Sequence, residues 1–174
     1  YENVSFMPKL ARVVEQKGVV VTPPMKHVQE EKLSLALFHH HRLEPFWKET
    51  LDTKDLDILS SAIPTSWIMD PKEIPPSAYL YGPKVDGRKL TQWSDLSKAP
   101  KKDKRLVIKA SGFHETAWGS RSVVIGDDVS GEEWGEKISE ALNHFPSPVF
   151  VIQEFMKPRT FMHPVFSEGN EVSN

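Results

Sequence analysis

The sequence predicts a mixed α/β chain, on three observations. Apolar runs rich in valine and isoleucine at 19–22, 105–111, 122–128 and 149–155 have the length and composition of strands. Stretches at about 29–41 and 130–145 instead repeat apolar residues at helical spacing. Prolines and glycines, 14 and 9 of the 174 residues, punctuate the boundaries between them.

Taken in order, a helix carrying Leu10, Val13 and Val14 leads through Gly18 into VVVT at 19–22, a short αβ unit closed by Pro23 and Pro24. The next helix spans Gln29 to about His41, with Leu33, Ala36, Leu37 and His40 on one stripe and Pro45 beyond its end. TSWIM at 65–69 reads as a strand. Prolines at 71, 75, 76, 83 and 100 then break periodicity through 70–104, leaving room for a short hairpin at AYLY, 78–81. RLVIKAS at 105–111 and SVVIGDD at 122–128 are strands joined by a loop. Ser130 and Glu133 form a capping box, and Trp134, Ile138, Ala141, Leu142 and Phe145 give the following helix its apolar face. VFVIQEF at 149–155 is the last strand, and Glu168, Asn170, Glu171 and Asn174 belong to a polar tail.

Composition narrows function. A formal charge of -2 gives no global field for sequence-blind nucleic-acid binding. The run Lys98, Lys101, Lys102, Lys104, Arg105 lacks interleaved aromatics and reads as a solvated loop in preference to a nucleic-acid contact. With no cysteine, thiolate metal sites and a cysteine nucleophile are excluded. No apolar run approaches the roughly 18 residues of a membrane helix, and the chain is read as soluble and cytoplasmic. His39, His40 and His41 are consecutive, so on a helix they point about 100° apart and do not share one metal.

The chemistry-bearing pattern is LVIKASG at 106–112, a small-residue loop, then VVIGDD. Lys109, at the end of an apolar strand, is partly withdrawn from water and calls for an anion such as phosphate. Snorkelling from an edge strand is the other outcome. Ser111, Gly112, Gly119 and Ser120 leave backbone N–H groups accessible to phosphate oxygens, and Arg121 adds a charged fork. In QEFMKPR at 153–159, Glu154 either hydrogen-bonds a purine edge between Phe155 and Met156 or simply faces solvent.

The order of these pieces, with Lys32 in QEEKLSLAL ahead of them, resembles the adenine-nucleotide half of the ATP-grasp superfamily. The VIKASG stretch is similar to that of biotin carboxylase. The resemblance covers about residues 23–159. It implies an antiparallel sheet covered by helices on one face, preceded by the short αβ segment. Residues 1–50 would hold the αβ segment and linking helix, and 51–160 the lid subdomain with a proline-rich insertion at 70–104. Residues 161–174 would begin a C-terminal subdomain lying outside an excerpted chain.

The resemblance further implies that Lys32 and Lys109 reach the phosphates of ATP and that Ser111 to Ser122, with Gly112, Gly119, Ser120 and Arg121, form the phosphate loop. Glu154, Phe155 and Met156 would form the adenine hinge. The implied partners are ATP, a small-molecule carboxylate and an amine acceptor. Magnesium ligands would lie in the further subdomain, and the excerpt would be inactive alone. Phe113, His114, Glu115 and Trp118 stand where the family is usually glycine-rich. The competing reading is a non-catalytic interaction module built on the proline-rich middle and the tryptophans, and a third is a basic-loop nucleic-acid binder.

Overall fold

The computed structural model describes residues 6–16, 18–21, 31–111, 114–117, 119–162, 164–167 and 170–173, the last two stretches by their backbone alone. Its chain is mixed α/β, organised around one four-stranded antiparallel sheet. The strands are β1 (Ser66–Met69), β4 (Leu106–Ala110), β5 (Val124–Ile125) and β6 (Phe150–Glu154), in the order β1-β6-β4-β5. Each of RLVIKAS, TSWIM and VFVIQEF forms its strand, whereas SVVIGDD pairs over two residues only, Val107 with Ile125 and Ile108 with Val124.

Side chains alternate across this sheet. Leu106, Ile108 and Ala110 of β4, Phe150 and Ile152 of β6 and Met69 of β1 turn to one side. There they meet Trp134, Ile138 and Ala141 of helix α5 (Gly131–Asn143). The capping box forms as the sequence predicts, with Ser130 Oγ accepting from the Glu133 N–H at 3.1 Å. The proline-rich middle is folded into the same core, because Ile74, Leu90, Trp93, Leu96 and Ala99 belong to it. Trp134 Nε1 donates to the Leu96 carbonyl at 2.9 Å, tying α5 to a 3-10 helix at Trp93–Lys98.

Several elements differ from expectation. The hairpin of the middle region is not AYLY but β2 (Lys84–Val85) paired with β3 (Arg88–Lys89), turned by Asp86 and Gly87 at φ 50° and 75°. Both turn residues occupy the left-handed region that two-residue hairpins require, so Asp-Gly was the sequence signal for it. Pro45 lies beyond the end of the preceding helix, as expected, and also opens a further one. It sits in the first turn of α3 (Glu44–Thr50), where its missing N–H has no intrahelical partner to lose. Helix α4 (Thr53–Ala62) follows, capped by Asp52, whose carboxylate accepts from the Asp55 N–H at 2.8 Å. Finally, within the expected polar tail β7 (Pro164–Ser167) and β8 (Asn170–Ser173) pair antiparallel, while Glu168 and Asn174 lie outside the described residues.

At the other end of the chain, α1 (Met7–Glu15) forms but buries none of its residues. Val19 to Val21 carry no strand pairing among the described residues, and Val20 is 91% exposed. Helix α2 (Leu33–Phe38) is shorter than the 29–41 span, of which residues 29 and 30 lie outside the described residues. It packs against β1 and β6 on the side of the sheet away from α5, so helices cover both faces and not one. Among the described residues no helix is long and apolar enough to cross a membrane.

Candidate functional site

Alternation places Lys109, one residue from Ile108, on the α2 face of the sheet. The antiparallel register sets Lys109 opposite Val151 and Val107 opposite Gln153, so Gln153 shares that face. Lys109 Nζ donates to the Gln153 amide oxygen at 2.6 Å. Gln153 Nε2 donates to Ser66 Oγ at 2.9 Å, and Ser66 Oγ donates onward to the Pro64 carbonyl at 2.8 Å. Gln153 and Ser66 are both buried, while Lys109 is half-buried. This polar chain crosses three strands over an otherwise apolar surface of Val107, Val151 and Ala36.

Ser111, two residues beyond Lys109, returns to the same face and anchors the start of α2. Its hydroxyl accepts from the Leu33 N–H at 2.8 Å and donates to the Glu31 carboxylate. That contact brings Lys32 to the mouth of the β4–β5 loop, where its ammonium donates to the Ala117 carbonyl at 2.7 Å. The two lysines are within Coulombic reach of each other. Burial first, and the Lys32 charge second, push the Lys109 ammonium pKa below its ordinary value. Its hydrogen-bond acceptor is a neutral amide, which supplies no compensating charge.

The structure thus brings Lys32, Lys109 and Ser111 together. Of the other expected residues, Glu154 and Arg121 lie on the opposite face of the sheet. Glu154 follows Gln153 in β6 and points to the opposite face, where its carboxylate accepts from Thr65 Oγ1 at 2.8 Å. Phe155 is half-buried and its N–H donates to the Arg105 carbonyl at 3.0 Å, while Met156 is 64% exposed. Gly119 and Ser120 are exposed in left-handed conformations, φ 62° and 61°. Arg121 lines a cavity with Ile108 and Phe150, which places it on the α5 side of the sheet. Gly112, Phe113 and Trp118 lie outside the described residues.

Other singled-out groups have defined surroundings. The basic run is divided: Lys102 pairs with Asp86 at 3.0 Å, Arg105 approaches Asp127 at 4.0 Å, and buried Lys104 donates to the Val129 carbonyl at 3.0 Å. The helix stops before the histidines. His39 Nε2 meets the Ile63 carbonyl at 3.0 Å, and the His40 and His41 rings stack 5.0 Å apart, His41 in turn lying 5.3 Å from Tyr81. Sequence reasoning missed Gln153 and Ser66, which position Lys109. The strand pattern of VFVIQEF marked Gln153 as a polar residue in a buried strand, and only its pairing with β4 gives it a role.

No protein-family model, curated protein or solved structure matches this chain.

Proposed function

We propose that this chain is the ATP-binding portion of an ATP-grasp-type ligase, in which Lys32 and Lys109 neutralise nucleotide phosphates. The observation that carries the reading is the convergence of two lysines from separate elements on one sheet face beside Ser111. Two ammonium groups so placed repel each other, one of them partly desolvated. A polyphosphate bridging them would relieve both terms. Their role is electrostatic, since charge builds on the phosphate oxygens during phosphoryl transfer.

In this reading a carboxylate oxygen of a small-molecule substrate attacks the terminal phosphorus of ATP and ADP leaves. An amine nitrogen then attacks the acyl carbon of the acylphosphate and inorganic phosphate leaves. Among the described residues there is no group of three or more His, Asp or Glu that could hold a metal ion. In this reading magnesium, held by one or two carboxylates and the nucleotide phosphates, would take its protein ligands from the further subdomain.

The test is titration of the chain with ATP and with ADP, followed by NMR. Perturbations should centre on Lys32, Lys109 and Ser111, and Lys109→Met should weaken binding by about tenfold or more, the loss of one charge-assisted contact. Equal binding by the wild type and Lys109→Met would overturn the assignment of Lys109. Absence of adenine-nucleotide binding at millimolar concentration would overturn the reading as a whole.

A further inference from the structure

Arg121 sits on the face of the sheet that the nucleotide reading does not use. Together with the C-terminal half of α5 it encloses a cavity of about 200 Å³. One water needs roughly 10–15 Å³ of such space, so the cavity has room for a small organic molecule.

Its lining divides by chemistry. The floor is Ile108, Val124 and Phe150, apolar side chains supplied by three adjacent strands. The rim is Arg121, Lys137, Glu140 and His144, with His114 and Thr116 beside them. Lys137 is neutralised by Glu140, its Nζ lying 2.7 Å from the carboxylate. His144 Nδ1 donates to the Glu140 carbonyl at 2.8 Å. The Arg121 guanidinium has no hydrogen-bond or ion-pair partner among the described residues. The cavity is thus an apolar basin with one uncompensated, fork-shaped cation at its edge.

We propose that this cavity binds a small organic carboxylate, its hydrocarbon body on Ile108, Val124 and Phe150 and its carboxylate in the Arg121 fork. A guanidinium holds a carboxylate through two parallel hydrogen bonds, which no other side chain provides. Inorganic phosphate would leave the apolar floor in water, and a neutral amide would leave the guanidinium uncompensated. Because the sheet separates the cavity from Lys109, the bound molecule is a second ligand and takes no part in the phosphoryl transfer proposed above. The proposal stands independently of that reading.

Benzoate, benzamide and inorganic phosphate distinguish the contributions, followed by NMR of the isoleucine and valine methyl groups and by calorimetry. Benzoate should bind saturably and shift Ile108 and Val124, with benzamide and phosphate each weaker by about tenfold or more. Arg121→Gln should lose about tenfold for benzoate, Lys137→Gln should lose less, and Arg88→Gln in the β2–β3 hairpin should change nothing. Arg121 and Arg88 are exposed, so these substitutions leave the core intact. Equal binding of benzoate and benzamide, equal binding of benzoate and phosphate, unchanged affinity in Arg121→Gln, or no saturable methyl shift at about 10 mM ligand would each overturn the proposal.

Discussion

The two faces of the central sheet are built from the same strands and do different things. Toward α5, Ile108, Ile152, Met69, Trp134 and Ile138 are essentially inaccessible to water. The Trp134 indole N–H in this layer is satisfied by the Leu96 carbonyl. Toward α2, the neighbouring residues Lys109 and Gln153 join Ser66 in a polar chain, with Val107, Val151 and Ala36 packed around it. A one-residue step along β4 or β6 exchanges one environment for the other. Stability is thus concentrated on one face, leaving the other able to hold a partly desolvated ammonium that a core would reject.

The largest expected effect falls on the α5 face. Trp134→Ala removes the largest fully buried side chain and should cost about 3–5 kcal/mol. Urea unfolding would show it as a lower midpoint at unchanged slope. A loss under about 1 kcal/mol would mean that α5 is not the stabilising layer, and the comparison would break.

Gln153→Leu should cost less, about 1–3 kcal/mol, because it leaves the Lys109 ammonium without its acceptor while keeping the volume apolar. Adding Lys109→Met should recover most of that loss, since the charge left unpaired is then gone. A double-mutant cycle read by urea unfolding measures this coupling, and additive costs would show that the two side chains are not partners.

The smallest effect should come from Lys109→Met alone, within about 1 kcal/mol at neutral pH, because it deletes a hydrogen bond and a desolvated charge together. Its pH dependence sharpens the contrast. Lys109 titrates below 10.5 in the folded chain, so on raising pH it releases its proton in the folded state before the unfolded state does. The unfolded state then binds more protons, and stability rises with pH across the interval below 10.5, to be lost again as pH falls through the folded value. Denaturant midpoints at alkaline pH should show this rise in the wild type and a flatter profile in Lys109→Met. Identical profiles would place Lys109 in water.

Local chemistry was sufficient to determine several features from the sequence. The capping box and helical stripe of α5 depend on neighbours three and four residues apart, and the apolar runs of β1, β4 and β6 are short and clearly bounded. Asp52 ahead of α4 and Asp86-Gly87 in the hairpin were equally local signals, present but passed over. Lys109 at a strand end was legible for the same reason.

What lay beyond the sequence were features that depend on which strand neighbours which. VVVT has the composition of a buried strand, but a strand needs a partner for its N–H and C=O groups, and Val19 to Val21 have none among the described residues. The separation of Glu154 and Arg121 from Lys109 follows from the register of β6 on β4 and from the seating of α5. Gln153 became the acceptor for Lys109 in the same way. Side-chain alternation within each strand is a property of the backbone, whereas the choice of residues that meet across strands is made by long-range pairing. Only the tertiary structure could therefore unite Lys32, Lys109 and Ser111 on one face and leave Arg121 on the other.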